Sequence, residues 1–199
     1  MSAYEIAKAL TKEEVLSKIT AFGIAGTGLV TDSLSDILAA GVAESAEEEK
    51  PLGVVVALNN ADTDQALLSI LTAAPEKVFE GAAIAAYAIG AEKIQLNVPE
   101  EKAALIEEYK ELAEKYGVSV AAGIVNVRAV KGSALIHIAT AADLADAFEG
   151  AYEAGVYVSV NGGEVKKVPA DTKIGDLADM TGATAVIAGY SVYTPDAAA

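Results

Sequence analysis

A run of glycines and small residues, Phe22-Gly-Ile-Ala-Gly-Thr-Gly-Leu-Val-Thr31-Asp32, stands between two helical patterns. Such a turn can offer several main-chain N–H groups, and the N-terminus of the helix that follows, to an anion such as phosphate. Simple connectors have the same composition, so the loop by itself marks a type of site and not a ligand. A second group of short polar side chains, Asn59-Asn-Ala-Asp62, follows the apolar run 52–58. At the carboxyl end of a strand in an open α/β sheet these side chains either face a ligand crevice or cap the next helix, and both readings stand. The one histidine, His137, lies in the apolar run 134–139 and reads as structural, because a single imidazole cannot make a zinc site. With no cysteine there is no disulfide, no thiolate metal site and no cysteine-ligated iron–sulfur cluster.

Charge narrows the ligand class. The net charge of -15 argues against nucleic acid, whose phosphates need a basic footprint, and Arg128 is the only arginine. Phosphate recognition therefore falls to backbone N–H groups and lysines. A phosphorylated ligand is expected against the backbone of residues 26–29, with Asn60 and Asp62 beside it. It should bind weakly, and better at moderate salt. The chain of 199 residues, 53% hydrophobic and 22% charged, has the composition of a globular protein with one domain or two small ones. No apolar run reaches the ~18 residues of a membrane span, so no membrane insertion is expected. The amphipathic start, with Glu5 and Lys8, is unlike a secretory signal, and the expected location is cytoplasmic. The oligomeric state is left open.

The elements that would position these residues follow from periodicity. Thr11 and Glu14 have capping-box spacing ahead of Val15, Leu16 and Ile19, which predicts a helix over 11–20 that feeds the glycine loop. Thr31, Asp32 or Ser33 should cap a second short helix closed by Gly41, and the glutamates of 44–49 read as a solvated connection. The run 52–58 is apolar on both faces, as a strand covered by helices on both sides requires. Helices are predicted over 63–72, from Pro75 to Gly90, and over 100–116, with strands at 94–98 and 118–125. This alternation is the rhythm of a parallel sheet with right-handed crossovers. Beyond residue 125 the pattern changes. Residues 134–138 read as strand or as helix start, 141–151 as helix, and 156–160 with 164–168 as a hairpin turned at Asn161-Gly-Gly163. A short helix at 173–180, a strand at 185–188 and a frayed tail from 194 complete the chain. The expected fold is a Rossmann-like parallel α/β domain over 1–125, followed by a small β-grasp-like domain over 126–199.

Several of these segments resemble the flavin-bearing, NADH-oxidising subunit of respiratory complex I and its relatives in soluble hydrogenases and membrane ferredoxin oxidoreductases. Against the flavin loop G-R-G-G-A-G-F-P-T-G of that family, Gly23, Gly26, Gly28 and Thr31 match. Asn60-Ala-Asp62 stands for N-A-D-E-G-E. The run from Pro75 through Glu80-Gly81 to Ala85-Ala-Tyr-Ala-Ile-Gly-Ala91 matches the most specific helix motif. Asn126-Val127 looks like the remnant of N-N-V-E-T, and 156–176 looks like the soluble-ligand-binding β-grasp (SLBB) domain that follows it. The resemblance spans roughly residues 20–190 and implies FMN, held by Gly23, Gly26, Thr27, Gly28, Thr31, Asn60, Asp62 and Asn126, with partner proteins in a redox complex.

Departures are equally specific. Ile24 replaces the arginine of the loop, Leu34 stands where a phosphate-binding lysine is expected, and Thr63 and Gln65 replace two glutamates. The segment carrying G-E-E-T, which lines the flavin ring in the family, is missing, as is the iron–sulfur domain. A hydride needs a bound acceptor and its electrons an exit, so the isolated chain is not expected to oxidise NADH. Two readings result: a shortened NADH dehydrogenase-like protein that binds FMN or another nucleotide, and a non-catalytic binding or assembly module that keeps the fold.

Overall fold

Strands β1 (Gly53–Ala57), β2 (Lys93–Val98), β3 (Ser119–Ala122) and β4 (Ser133–His137) form a four-stranded parallel sheet in the order β3-β2-β1-β4. Val54 is in register with Ile94 on one side and Ala134 on the other, so the strands expected to share a sheet do share one. The computed structural model describes residues 1–27, 32–58, 66–125, 130–188 and 191–198.

Helix α1 (Ala3–Lys8) opens on a capping box from Ser2 and Glu5, and α2 (Lys12–Phe22) on the expected one from Thr11 and Glu14. Ser33 caps α3 (Leu34–Glu47) by accepting the Asp36 N–H. This helix runs through Gly41 instead of stopping there. A Cβ on Gly41 would lie 2.6 Å from the Ala134 nitrogen, so the glycine lets α3 press onto β4. The acidic run expected as a solvated connection is largely the end of α3 and fastens β4. Glu44 accepts the Gly132 N–H at 3.0 Å, and Glu48 pairs with Lys131, which holds its carboxyl below the usual range.

Helix α4 (Leu68–Ala73) begins at Leu68, without a side-chain cap. Residues 59–65, to which the predicted helix start and its Asn/Asp cap belong, lie outside the described residues. Helix α5 (Pro75–Ile89) follows with proline in its first turn and Gly90 as its left-handed cap. The predicted single helix over 100–116 is broken into a 3-10 turn (Glu100–Lys102), α6 (Leu105–Glu108) and α7 (Lys110–Tyr116). Tyr109, between the last two, leaves helical geometry (φ -97, ψ 12) and stacks edge-on against Phe79 with ring centroids 5.9 Å apart. The ambiguous run 134–138 proves to be both things at once, because β4 passes directly into α8 (Ile138–Glu149) at His137.

Side chains alternate across the sheet. Val54, Val56, Leu96, Val98, Ala134 and Ile136 face the large core, which also holds Leu38, Phe79, Tyr116 and Leu144 from the helices. Val55 and Ala57 face the other way, where they meet Val125 and Val130. That second cluster contains no helical residue, and Leu135 on the same face is 39% exposed. Topology explains the asymmetry. The crossovers β1 to β2 and β2 to β3 step in one direction along the sheet, while the return from β3 to β4 runs the opposite way. A right-handed return is therefore expected over the opposite face, and Val125 and Val130, the described residues on either side of 126–129, pack there.

The chain divides into two compact units, Met1–Glu153 and Ala154–Ala199. The expected boundary at 125/126 moves to 153/154, because β4 joins the sheet beside β1 and α8 packs on α5. In the second unit, β5 (Val156–Val158) and β6 (Lys166–Val168) make the predicted antiparallel hairpin, with Asn161 and Gly162 at positive φ in its turn. After α9 (Ile174–Leu177), the predicted final strand β7 (Val186–Ala188) pairs antiparallel with β8 (Ser191–Tyr193). The two hairpins are separate two-stranded sheets among the described residues. The tail expected to fray forms α10 (Pro195–Ala198), in which Ala198 is buried.

Candidate functional site

In a sheet of this order the topological switch point lies between β1 and β4, where crossovers diverge and ligands of open α/β proteins sit at the carboxyl edge. Ala57 and His137 are register partners at that edge. His137 ends β4 and caps α8, its Nδ1 accepting the Ala139 N–H at 3.0 Å. The structural role expected of this histidine is thereby located.

The glycine loop reaches the same place. Gly23 is the left-handed C-cap of α2 (φ 61), a conformation that explains a glycine there without any ligand. Ile24 follows at 1% exposure. Ala25 and Ser33 then form an antiparallel bridge, closed by the Gly26 N–H donating to the Asp32 carbonyl and the Leu34 N–H to the Ile24 carbonyl, each at 2.8 Å. Beyond the bridge, Thr27 Oγ1 lies 3.3 Å from Thr140 Oγ1 in the first turn of α8. The loop, the end of β1 and the start of α8 thus converge.

Of the eight residues expected to hold a cofactor, the described ones are Gly23, Gly26 and Thr27, and Thr27 stands at the switch point. Gly28, Thr31, Asn60, Asp62 and Asn126 lie outside the described residues. The positions flanking their segments, Thr27, Leu58 and Val125, belong to the loop, to the end of β1 and to the cluster over Ala57. Within the expected phosphate-facing backbone of residues 26–29, the Gly26 N–H closes the loop on the Asp32 carbonyl. Ile24 and Leu34, which stand in place of two cations in the resemblance, are embedded in the core at 1% and 0% exposure. No group of three or more metal-ligating side chains occurs among the described residues.

Sequence reasoning missed the polar face of α8. Thr140 and Asp143 are buried on a helix rich in alanine, and their i, i+3 spacing places them on one side. Burial, with the Asp143 charge adding to it, pushes the Tyr152 phenol above its ordinary range. A signal was present: polar residues at every third position, Thr140, Asp143, Asp146 and Glu149, along a largely apolar helix that starts at a strand end.

The most specific motif of the resemblance has a scaffold role. Glu80, buried on α5, accepts the Ala3 N–H at 3.0 Å and the Tyr116 hydroxyl at 2.8 Å, tying α1 and α7 to α5. Glu76 accepts the same hydroxyl at 2.9 Å and pairs with Lys115. Tyr87 donates to the Leu10 carbonyl at 2.7 Å. Gly81 is where α8 comes closest, for a Cβ there would fall 1.8 Å from the Ala141 carbonyl oxygen.

No protein-family model and no curated protein sequence matches the chain. Among solved structures, it matches a chain of an NAD+-reducing NiFe hydrogenase in its H2-reduced state with a TM-score of 0.76 and 16% identity, over 100% of this chain and 46% of the other. A second match, to such a hydrogenase in its air-oxidized state, has a TM-score of 0.69 and 15% identity over 89% and 40% of the two chains. This chain spans less than half the length of either. At such identities the likeness is one of fold, and at that level the similarity to soluble hydrogenases expected from the motifs holds.

Proposed function

We propose that the chain is an NADH dehydrogenase-like redox module of the complex I flavin-subunit type, which holds a flavin at the carboxyl edge between β1 and β4 and works beside partner proteins. The observation that carries this reading is the Thr27–Thr140 contact, which brings the glycine loop to the switch point of a fold shared with NAD+-reducing hydrogenase chains. Gly26 to Gly28, Thr31, Asn60, Asp62 and Asn126 are the proposed surroundings of the cofactor, and Thr140 joins them. FMN or a related flavin would supply hydride acceptance there. This chain's own contribution is to hold and orient it, since it has no cysteine to ligate an iron–sulfur exit.

One observation favours a second reading, a non-catalytic assembly module. Gly23, Gly81 and Gly90 each have a conformational or packing reason that needs no ligand. The absorbance of the purified protein separates the two. A flavin band at about 450 nm after purification or reconstitution supports the redox module. Its absence after reconstitution with FMN and with riboflavin leaves the assembly module.

A further inference from the structure

We infer that Asn161 is a site of spontaneous modification, where the main-chain nitrogen of Gly162 displaces the side-chain amide and leaves aspartate or isoaspartate in the second unit. The inference is independent of the flavin reading, since it concerns the loop between β5 and β6.

Asparagine is a thermolabile residue, and this attack is least obstructed when the nitrogen belongs to a residue with no Cβ. Asn161 precedes Gly162. The other asparagines, at 59, 60, 97 and 126, precede Asn60, Ala61, Val98 and Val127, each of which carries a side chain beside the nitrogen. Asn97 is protected in a further way, being 7% exposed with its Nδ2 donating to the Gly123 carbonyl at 3.0 Å.

The surroundings of Asn161 leave the reaction open. Residues 159–165 join β5 to β6 and carry a turn at their tip. The Gly163 N–H closes it by donating to the Val160 carbonyl at 2.9 Å, and Ser159 Oγ donates to the Gly163 carbonyl at 2.8 Å. Asn161 (φ 52) and Gly162 (φ 71) fill its central positions, and both are exposed. Neither bond uses the Gly162 N–H, which no acceptor holds among the described residues. A Cβ built on Gly162 would meet nothing within 4 Å, so water reaches the nitrogen. The closed turn fixes the main chain, and rotation of the nitrogen onto the side-chain carbonyl waits for it to open. In a loop between two three-residue strands, that opening costs little.

In the step itself the Gly162 nitrogen loses its proton to hydroxide and bonds to Asn161 Cγ. The Cγ–Nδ2 bond breaks, and the amide takes up a proton from water and leaves as ammonia. Water then opens the cyclic imide at either carbonyl. Cleavage at Cγ restores the normal main chain with aspartate, while cleavage at the main-chain carbonyl carbon routes the chain through Cβ as isoaspartate. No electron donor or acceptor is needed. Aspartate suits the turn as asparagine does. Isoaspartate adds a carbon to the main chain inside it, next to the register partners Val158 and Lys166.

The test incubates the folded full chain at neutral and mildly alkaline pH and maps its peptides by mass spectrometry, with isoaspartyl methyltransferase labelling. Conversion at 161 should exceed that at Asn97 by at least about tenfold, because opening the sheet costs more than opening the turn. It should rise with pH and give both products. Asn161→Gly, which keeps a residue suited to positive φ, should remove the label. No conversion at 161 in the time a synthetic peptide of residues 156–168 takes to convert would overturn the inference. So would aspartate without isoaspartate, or a label that persists in Asn161→Gly.

Discussion

Gly81→Ala is the substitution whose consequence the structure defines most sharply. The added methyl would sit 1.8 Å from the Ala141 carbonyl oxygen and 2.5 Å from its carbon, where ordinary contacts are beyond 3.0 Å. Those atoms are backbone of α8, so no side chain can swing aside, and α5 and α8 must part by more than an ångström. These two helices pack on each other more extensively than any other pair of elements, and both contribute to the large core. Overpacking of this kind costs about 1–3 kcal/mol and occasionally more, while alanine in place of glycine in a helix returns about 1 kcal/mol. Because the clash is with backbone, the upper end of that range and beyond applies, and a net loss of about 2 kcal/mol or more is expected. For a unit of this size it lowers Tm by about 5 °C or more. Thermal and urea unfolding followed by circular dichroism would measure it, with Gly150→Ala as comparison, since Gly150 has positive φ but nothing within 4 Å of its added Cβ. If Gly81→Ala melts within a degree of the parent, or no lower than Gly150→Ala, the close approach is not what requires glycine here.

Tyr116→Phe removes the hydroxyl that donates to Glu80 and Glu76, and should cost about 1–3 kcal/mol at neutral pH by urea unfolding. It should also flatten the alkaline limb of stability. Burial, reinforced by the bonds to Glu80 and Glu76, raises the Tyr116 phenol well above its ordinary range, so its contribution is whole below about pH 10 and fades as pH rises through the folded-state value. Lys77, raised by its bond to Asp146, contributes in the same direction but equally in both proteins, so the difference between parent and variant isolates the phenol. An unchanged alkaline slope in Tyr116→Phe would contradict this. His137→Ala should destabilise the first unit by about 1 kcal/mol through loss of the α8 cap, and His137→Asn, a good capping residue, should recover most of it in the same unfolding assay. Equal loss in both variants would mean that the ring's packing matters more than its Nδ1.

Much of the architecture was legible because local signals agreed with tertiary demands. The capping box of Thr11 and Glu14, the proline and glycine that bound α5, and the buried run of β1 all behave as their chemistry suggests. Reading failed where a local signal had two physical causes. Gly41 looks like a helix stop, yet it lies inside α3 because Ala134 needs the space, and no one-dimensional pattern separates a C-cap glycine from a close-packing one. The domain boundary failed for a related reason. The change of rhythm after residue 125 is real, but the strand that follows it pairs with β1, some 80 residues away in sequence, through contacts that no window of neighbours contains.

The site divides along the same line. Its glycine loop could be found from composition, but whether a loop N–H is available depends on its acceptor, and the Asp32 carbonyl that engages Gly26 is six residues along the chain, on the far side of the loop. Thr140 was invisible for the opposite reason. Its spacing with Asp143 marks a polar side of α8 but names no partner, and only the order β3-β2-β1-β4 brings the start of α8 beside Thr27. The residues that a motif names are therefore candidates for contact, while the chemistry they can still offer is set by what the fold has already asked of them. By that criterion the Gly26 N–H is committed to the Asp32 carbonyl, and the Thr140 hydroxyl, buried and bonded to Thr27, holds the described start of the loop to α8.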